Sequence, residues 1–100
     1  MGWFGLPEKI SALCAEKLGG RTDVSAAVRE CTRFSREKIL RAHLAGASGR
    51  AGCAANTACV DEIVKFLWRN SAAAPEKDVC IIALGGYGRR ELCPYSDIDI

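Results

Sequence analysis

The sequence predicts an α+β fold, with a mostly helical region over residues 1–75 leading into the first strands of a mixed sheet over residues 76–100. Three observations carry this expectation. Apolar residues recur at helical spacing, most clearly at Val60, Ile63, Val64, Leu67 and Trp68, which match the i, i+3, i+4, i+7, i+8 template. The run Val79-Cys80-Ile81-Ile82-Ala83-Leu84 is uncharged, rich in β-branched side chains and ends at a glycine pair, so it reads as a strand buried on both faces. After the Pro94-Tyr95-Ser96 turn, Asp97, Ile98, Asp99 and Ile100 alternate. In a strand the two carboxylates share one face and the isoleucines the other.

Taken in order, Ile10 to Leu18 forms a short helix closed by Gly19-Gly20. Asp23 or Thr22 caps a longer one, with Val24, Val28, Cys31, Phe34 and Ile39 on one stripe. Leu40 and Leu44 lie opposite that stripe, so this helix is expected to be covered on two faces near its end. Gly46, Gly49 and Gly52 read as an interhelix turn; no Gly-Lys-Ser or Gly-Lys-Thr follows, which argues against a P-loop. Asn56 or Thr57 caps the helix that carries Val60 to Trp68, and Trp68 is expected in the core. Asn70 to Pro75 is a linker, and Tyr87 to Cys93 a short helical turn before Pro94. His43, the single histidine, reads as a surface residue.

The chemistry concentrates after residue 84. Gly85-Gly86 permits a sharp turn whose backbone N–H groups no Cβ shields, a place a polyphosphate can approach. Arg89 stands where a guanidinium can grip a phosphate with a forked pair of hydrogen bonds. Asp97 and Asp99, side by side, repel until a divalent cation sits between them. Magnesium suits carboxylate and phosphate oxygens and is rarely caged by protein alone. Each half alone also fits an ordinary turn and a pair of solvent-facing acids. Their combination points to metal-dependent phosphoryl or nucleotidyl transfer.

A hydrophobic strand, Gly85-Gly86 and then Asp97-Ile98-Asp99-Ile100 resembles the signature of the DNA polymerase beta-like nucleotidyltransferase superfamily. Within it, Gly85-Gly86-Tyr87-Gly88-Arg89, Glu91-Leu92, Pro94 and Ser96-Asp97-Ile98-Asp99 look like the bacterial PII uridylyltransferases. Arg41 to Arg50 and Val60 to Arg69 are similar to segments upstream of that family's catalytic sheet. The resemblance implies transfer of UMP from UTP to a tyrosine of the PII signalling protein, with release of pyrophosphate. It also implies roles for Gly85, Gly86, Arg89 and Ser96 at the triphosphate, and for Asp97 and Asp99 as ligands of Mg2+. Arg90 departs from the family, which usually has glycine there, and Cys93 stands where the family varies. On this reading residues 76–100 begin an incomplete nucleotidyltransferase unit, inactive alone. A third carboxylate, a uridylyl-removing domain and glutamine-sensing domains are expected beyond Ile100. Two alternatives stay open: another signalling nucleotidyltransferase, such as a glutamine synthetase adenylyltransferase, or an interaction module without catalysis.

Composition narrows the partners. With 14 basic and 12 acidic residues among 100, the net charge of +2 argues against duplex nucleic acid and anionic membranes as partners. No apolar run approaches the roughly 20 residues of a membrane span. Met1 to Glu8 lacks a secretory pattern, and Leu6 stands where myristoylation wants serine or threonine. A cytoplasmic location is expected. The six cysteines include no Cys-x-x-Cys, so neither a zinc site nor a disulfide framework is expected. Cys31 and Cys80 read as small core residues. Cys93, near Arg89 and Arg90, is a candidate reactive thiol.

Overall fold

A computed structural model of the chain describes residues 5–18, 23–70 and 78–100. The Gly19-Gly20 stop, the Thr22 cap, the Met1 to Phe4 end and nearly all of the Asn70 to Pro75 linker lie outside these residues. The elements are α1 (Leu6–Leu18), α2 (Val24–Leu44), α3 (Gly49–Arg69) and one helical turn, α4 (Gly85–Gly88).

Helix α1 starts one turn earlier than its apolar periodicity predicts. Pro7 fits there, because a first-turn residue has no intrahelical partner for its N–H. Leu6, Ile10 and Cys14 then fall four apart on one buried stripe. Asp23 caps α2, its carboxylate accepting from Ala26 N–H at 3.0 Å. The buried stripe of α2 runs through Ala27, Cys31, Ser35, Ile39 and Ala42. Its second face is not covered: Leu40 and Leu44 are 55% and 75% exposed.

Helix α3 begins seven residues before the predicted Asn56 cap, with Ser48 as its cap, accepting from Ala51 N–H at 3.1 Å. Alanine-rich sequence from Ala51 to Ala58 carries the helix through the expected turn, and alanine is the strongest helix former. Asn56 and Thr57 therefore sit mid-helix and buried. Helices α1, α2 and α3 pack pairwise around Leu6, Ile10, Cys14, Ala27, Cys31, Ile39, Cys59 and Ile63. On another face α3 makes a second small core, where Val60 and Val64 meet Tyr87 and Leu92. This helix is the hub between the bundle and the glycine turn.

The expected mixed sheet is not present: every regular element among the described residues is a helix, and none of these residues forms a strand. A strand needs a ladder of backbone hydrogen bonds. Residues 78–84 and 96–100 are joined by a rung from Leu84 N–H to Asp99 C=O at 2.9 Å, which alone makes no ladder. Nor is the first segment buried on both faces. Val79, Ile81 and Leu84 are exposed, and Ile82 is 64% exposed. Cys80 is likewise exposed rather than a core residue, whereas Cys31 is fully buried. No described helix is long and apolar enough to cross a membrane.

Candidate functional site

Two devices hold the glycine segment on α3. Tyr87, buried, donates its phenolic hydroxyl to Asp61 Oδ1 at 2.7 Å. Burial, and then the Asp61 carboxylate, push the Tyr87 phenol above its ordinary range. Leu92 is clamped by its backbone: its N–H donates to Thr57 Oγ1 and its C=O accepts from Asn56 Nδ2, each at 3.0 Å. Thr57 in turn donates its hydroxyl to Cys53 C=O at 2.9 Å. Buried polar groups need partners, so this pair of side chains fixes where the loop leaves the turn.

Around Tyr87 the chain folds into a tight turn. Gly88 N–H donates to Leu84 C=O, Arg89 N–H to Gly85 C=O, Arg90 N–H to Tyr87 C=O and Glu91 N–H to Gly86 C=O. The N–H groups of Gly85 and Gly86, at the start of the turn, have no intrahelical carbonyl to use. The helical turn covers Gly85–Gly88, earlier than the predicted Tyr87 to Cys93.

Glycine is required at two positions here. Gly85 has φ of +58°, and a Cβ on it would lie 3.0 Å from Asp99 Oδ2. A Cβ on Gly88 would meet Ala83 C=O at 2.7 Å, too close for any neighbouring backbone to accept. Arg90 also adopts a left-handed φ, +61°, a conformation that costs a residue carrying a Cβ.

Of the residues singled out in the sequence, the structure brings Asp99 and Gly85 together. The rung from Leu84 to Asp99 sets the acid segment beside the turn, and the Asp99 carboxylate lies over the Gly85 backbone. Arg89 lies two-thirds exposed at the turn, its Nε donating to Glu91 Oε2 at 3.4 Å. Asp97 is exposed two residues from Asp99. Ser96 is grouped differently. With Ile98 and Ile100 it lines a cavity of about 250 Å³ against Val60, Ile63 and Leu67 of α3. Residues 96, 98 and 100 thus line one cavity while all of residues 95–100 remain exposed.

Other side chains of this region were not singled out as functional in the sequence. Asn56, Thr57 and Asp61 anchor the turn, and their signal was the presence of polar residues on the apolar stripe of a helix. Arg36 stacks 4.3 Å from the Tyr95 ring centroid, holding the next turn of the loop against α2. His43 is exposed, as expected, its Nδ1 2.9 Å from Ala47 C=O.

The sequence is similar to bifunctional uridylyltransferase/uridylyl-removing enzymes. It is 36% identical to the Ectopseudomonas mendocina enzyme over 75 residues, which is 75% of this chain and 8% of that protein. The Acinetobacter baylyi enzyme is 51% identical over 41 residues, 41% of this chain and 4% of that protein. An Acinetobacter baumannii enzyme is 46% identical over 55 residues, 55% of this chain and 6% of that protein. The chain therefore spans less than a tenth of the length of these curated relatives. No protein-family model and no solved structure matches it.

Proposed function

We propose, from the similarity of this chain to bifunctional uridylyltransferase/uridylyl-removing enzymes, that its glycine turn and neighbouring acids take part in transferring UMP from UTP to a tyrosine of the PII protein, releasing pyrophosphate. The observation that carries this reading is the seating of Asp99 against Gly85, through the Leu84 to Asp99 rung. That contact puts a carboxylate against Gly85, the first residue of the turn.

In this reading the N–H groups of Gly85 and Gly86 orient the triphosphate, and Arg89 adds a cation. Its exposed pairing with Glu91 is weak in water, so the guanidinium is free to exchange partners. Asp97 and Asp99 would hold Mg2+. Among the described residues no cluster of three or more potential ligands exists. The donor set still fits, because magnesium is commonly held by one or two carboxylates, with water and substrate phosphate completing its shell. When bound, such an ion offsets charge on the phosphates. The chain's own contribution is positioning and fixed dipoles: the glycine turn sets where the phosphates lie, and the clamp on Leu92 sets where the turn lies.

A chimera tests the reading. The segment of the Ectopseudomonas mendocina enzyme that matches this chain is replaced by the chain's own sequence, and UMP transfer from labelled UTP to PII is followed. Transfer is expected, falling to background in Asp97→Asn and in Asp99→Asn. Undiminished transfer in both variants overturns the assignment. Equal transfer from ATP moves the reading to adenylyl transfer.

A further inference from the structure

We propose that Cys53 and Cys93 are a redox modification site, forming a reversible disulfide that fastens the segment after the glycine turn to the first turns of α3. Their sulfurs lie 3.4 Å apart although the residues are 40 apart in sequence. The nearness comes from the backbone on both sides. Leu92, next to Cys93, has its N–H and C=O bonded to Thr57 and Asn56, and Thr57 donates to the carbonyl of Cys53 itself. Two buried side chains of α3 thus hold one thiol opposite the other.

Closing the bond requires the sulfurs to approach from 3.4 Å to about 2.05 Å. Cys93 is exposed, so its side chain has room to rotate toward Cys53. The approach is open as well. Both thiols line a cavity of about 240 Å³ together with Ile39, His43, Pro94 and Tyr95. The molecule also contains a contrasting pair. Cys14 and Cys31 are 3.9 Å apart between α1 and α2, but both are fully buried in the three-helix core, where no oxidant reaches them.

The reaction balances with a low-molecular-weight disulfide as oxidant. The Cys93 thiolate attacks one sulfur of that disulfide, forming a mixed disulfide and expelling one thiolate. The Cys53 thiolate then attacks Cys93 Sγ, forming the protein disulfide and expelling the second thiolate. Two protein thiols lose two protons and two electrons, and the small disulfide becomes two thiols. Burial first, and then the neighbouring Cys93 thiol and the Glu91 carboxylate, raise the Cys53 thiol above its ordinary value. The closing step therefore accelerates as pH rises, because the thiolate is the nucleophile.

The test equilibrates the chain with oxidised and reduced glutathione at graded ratios, blocks free thiols with iodoacetamide and maps peptides by mass spectrometry. A Cys53–Cys93 peptide, lighter by about 2 Da and restored by dithiothreitol, is expected. It should form at a ratio at least roughly tenfold less oxidising than in the urea-unfolded chain, where no clamp holds the thiols together. In Cys53→Ser, Cys93 should stop at the glutathione adduct. Two results overturn the proposal: glutathione on Cys93 of the folded wild-type chain without the cross-link, or cross-linking at the same ratio in buffer and in urea. Should Cys53→Ser fail to fold, the wild-type comparison decides alone.

Discussion

Tyr87 and Asp61 are joined by a hydrogen bond of 2.7 Å between a buried phenol and a half-buried carboxylate, 26 residues apart in sequence. That bond ties the glycine turn to the middle of α3, one turn along from the residues that clamp Leu92. The turn is therefore held from within, at Tyr87, and just after it, at Leu92, by a single helix, and polar groups join the small Val60, Tyr87 and Leu92 core in placing it.

Tyr87→Phe keeps the ring and removes the donor. Losing a hydrogen bond to a charged partner should cost about 1.5–3 kcal/mol, read from urea unfolding of the chain. A pH dependence accompanies it. The folded-state phenol is raised above its unfolded value, so its contribution is complete below about pH 10 and is lost as pH climbs toward the folded value. Tyr87→Phe should therefore be less sensitive than wild type to alkali above that pH; an identical decline in both would show that burial and Asp61 together do not raise the phenol.

Arg90→Gly should stabilise the chain. A left-handed φ of +61° costs a residue with a Cβ roughly 1–2 kcal/mol, and glycine returns about half of that through the entropy of its unfolded state. A net gain of about 0.5–1 kcal/mol is expected in the unfolding midpoint. Destabilisation would mean that the Arg90 side chain makes an interaction worth more than the strain.

Gly88→Ala and Gly86→Ala separate the two glycines by contact. The new Cβ at position 88 would lie 2.7 Å from a backbone oxygen, whereas at position 86 its nearest neighbour would be Glu91 C=O at 3.6 Å, an ordinary contact. The first should cost about 1–3 kcal/mol, the range of overpacking, and the second well under 1 kcal/mol. Equal losses would contradict the turn geometry.

The sequence made the helices legible because apolar spacing and caps are local properties. Asp23 before Val24 and the Val60 to Trp68 stripe needed nothing from the rest of the fold. The start of α3 was hidden because Gly49 and Gly52 read as a turn, yet a capping serine and a run of alanines outweigh two glycines. Asn56 and Thr57 were misread as caps for the same reason. They are good cap residues by type, and only the position of Leu92 shows that their hydrogen bonds go across to the loop. Val79–Leu84 failed as a buried strand because hydrophobicity alone does not supply the neighbouring backbone that strand pairing requires. At the candidate site, the spacing of glycines and acids was visible in one dimension. The seating of Asp99 on Gly85 depends on a backbone rung from Leu84, which no side-chain pattern encodes.

Nucleotide binding to the chimera gives the sharpest reading of the proposed site. Arg89 is two-thirds exposed and its bond to Glu91 is long, so little is lost from the fold when it is removed. Arg89→Ala should leave the unfolding midpoint nearly unchanged while weakening UTP binding by about 1.5–3 kcal/mol, roughly 10- to 150-fold, as for a lost charge-assisted hydrogen bond. Glu91→Gln removes the anion that competes for the guanidinium, and should tighten binding modestly. Asp99→Asn acts on the other side of the turn: it should abolish the gain in affinity that magnesium gives, because the amide lacks the charge that would hold the ion. Calorimetric titration of UTP with and without magnesium measures all three. If affinity is the same with and without the ion in the folded wild-type chimera, and Arg89→Ala binds UTP as tightly as its parent, the turn and its acids do not form a nucleotide site.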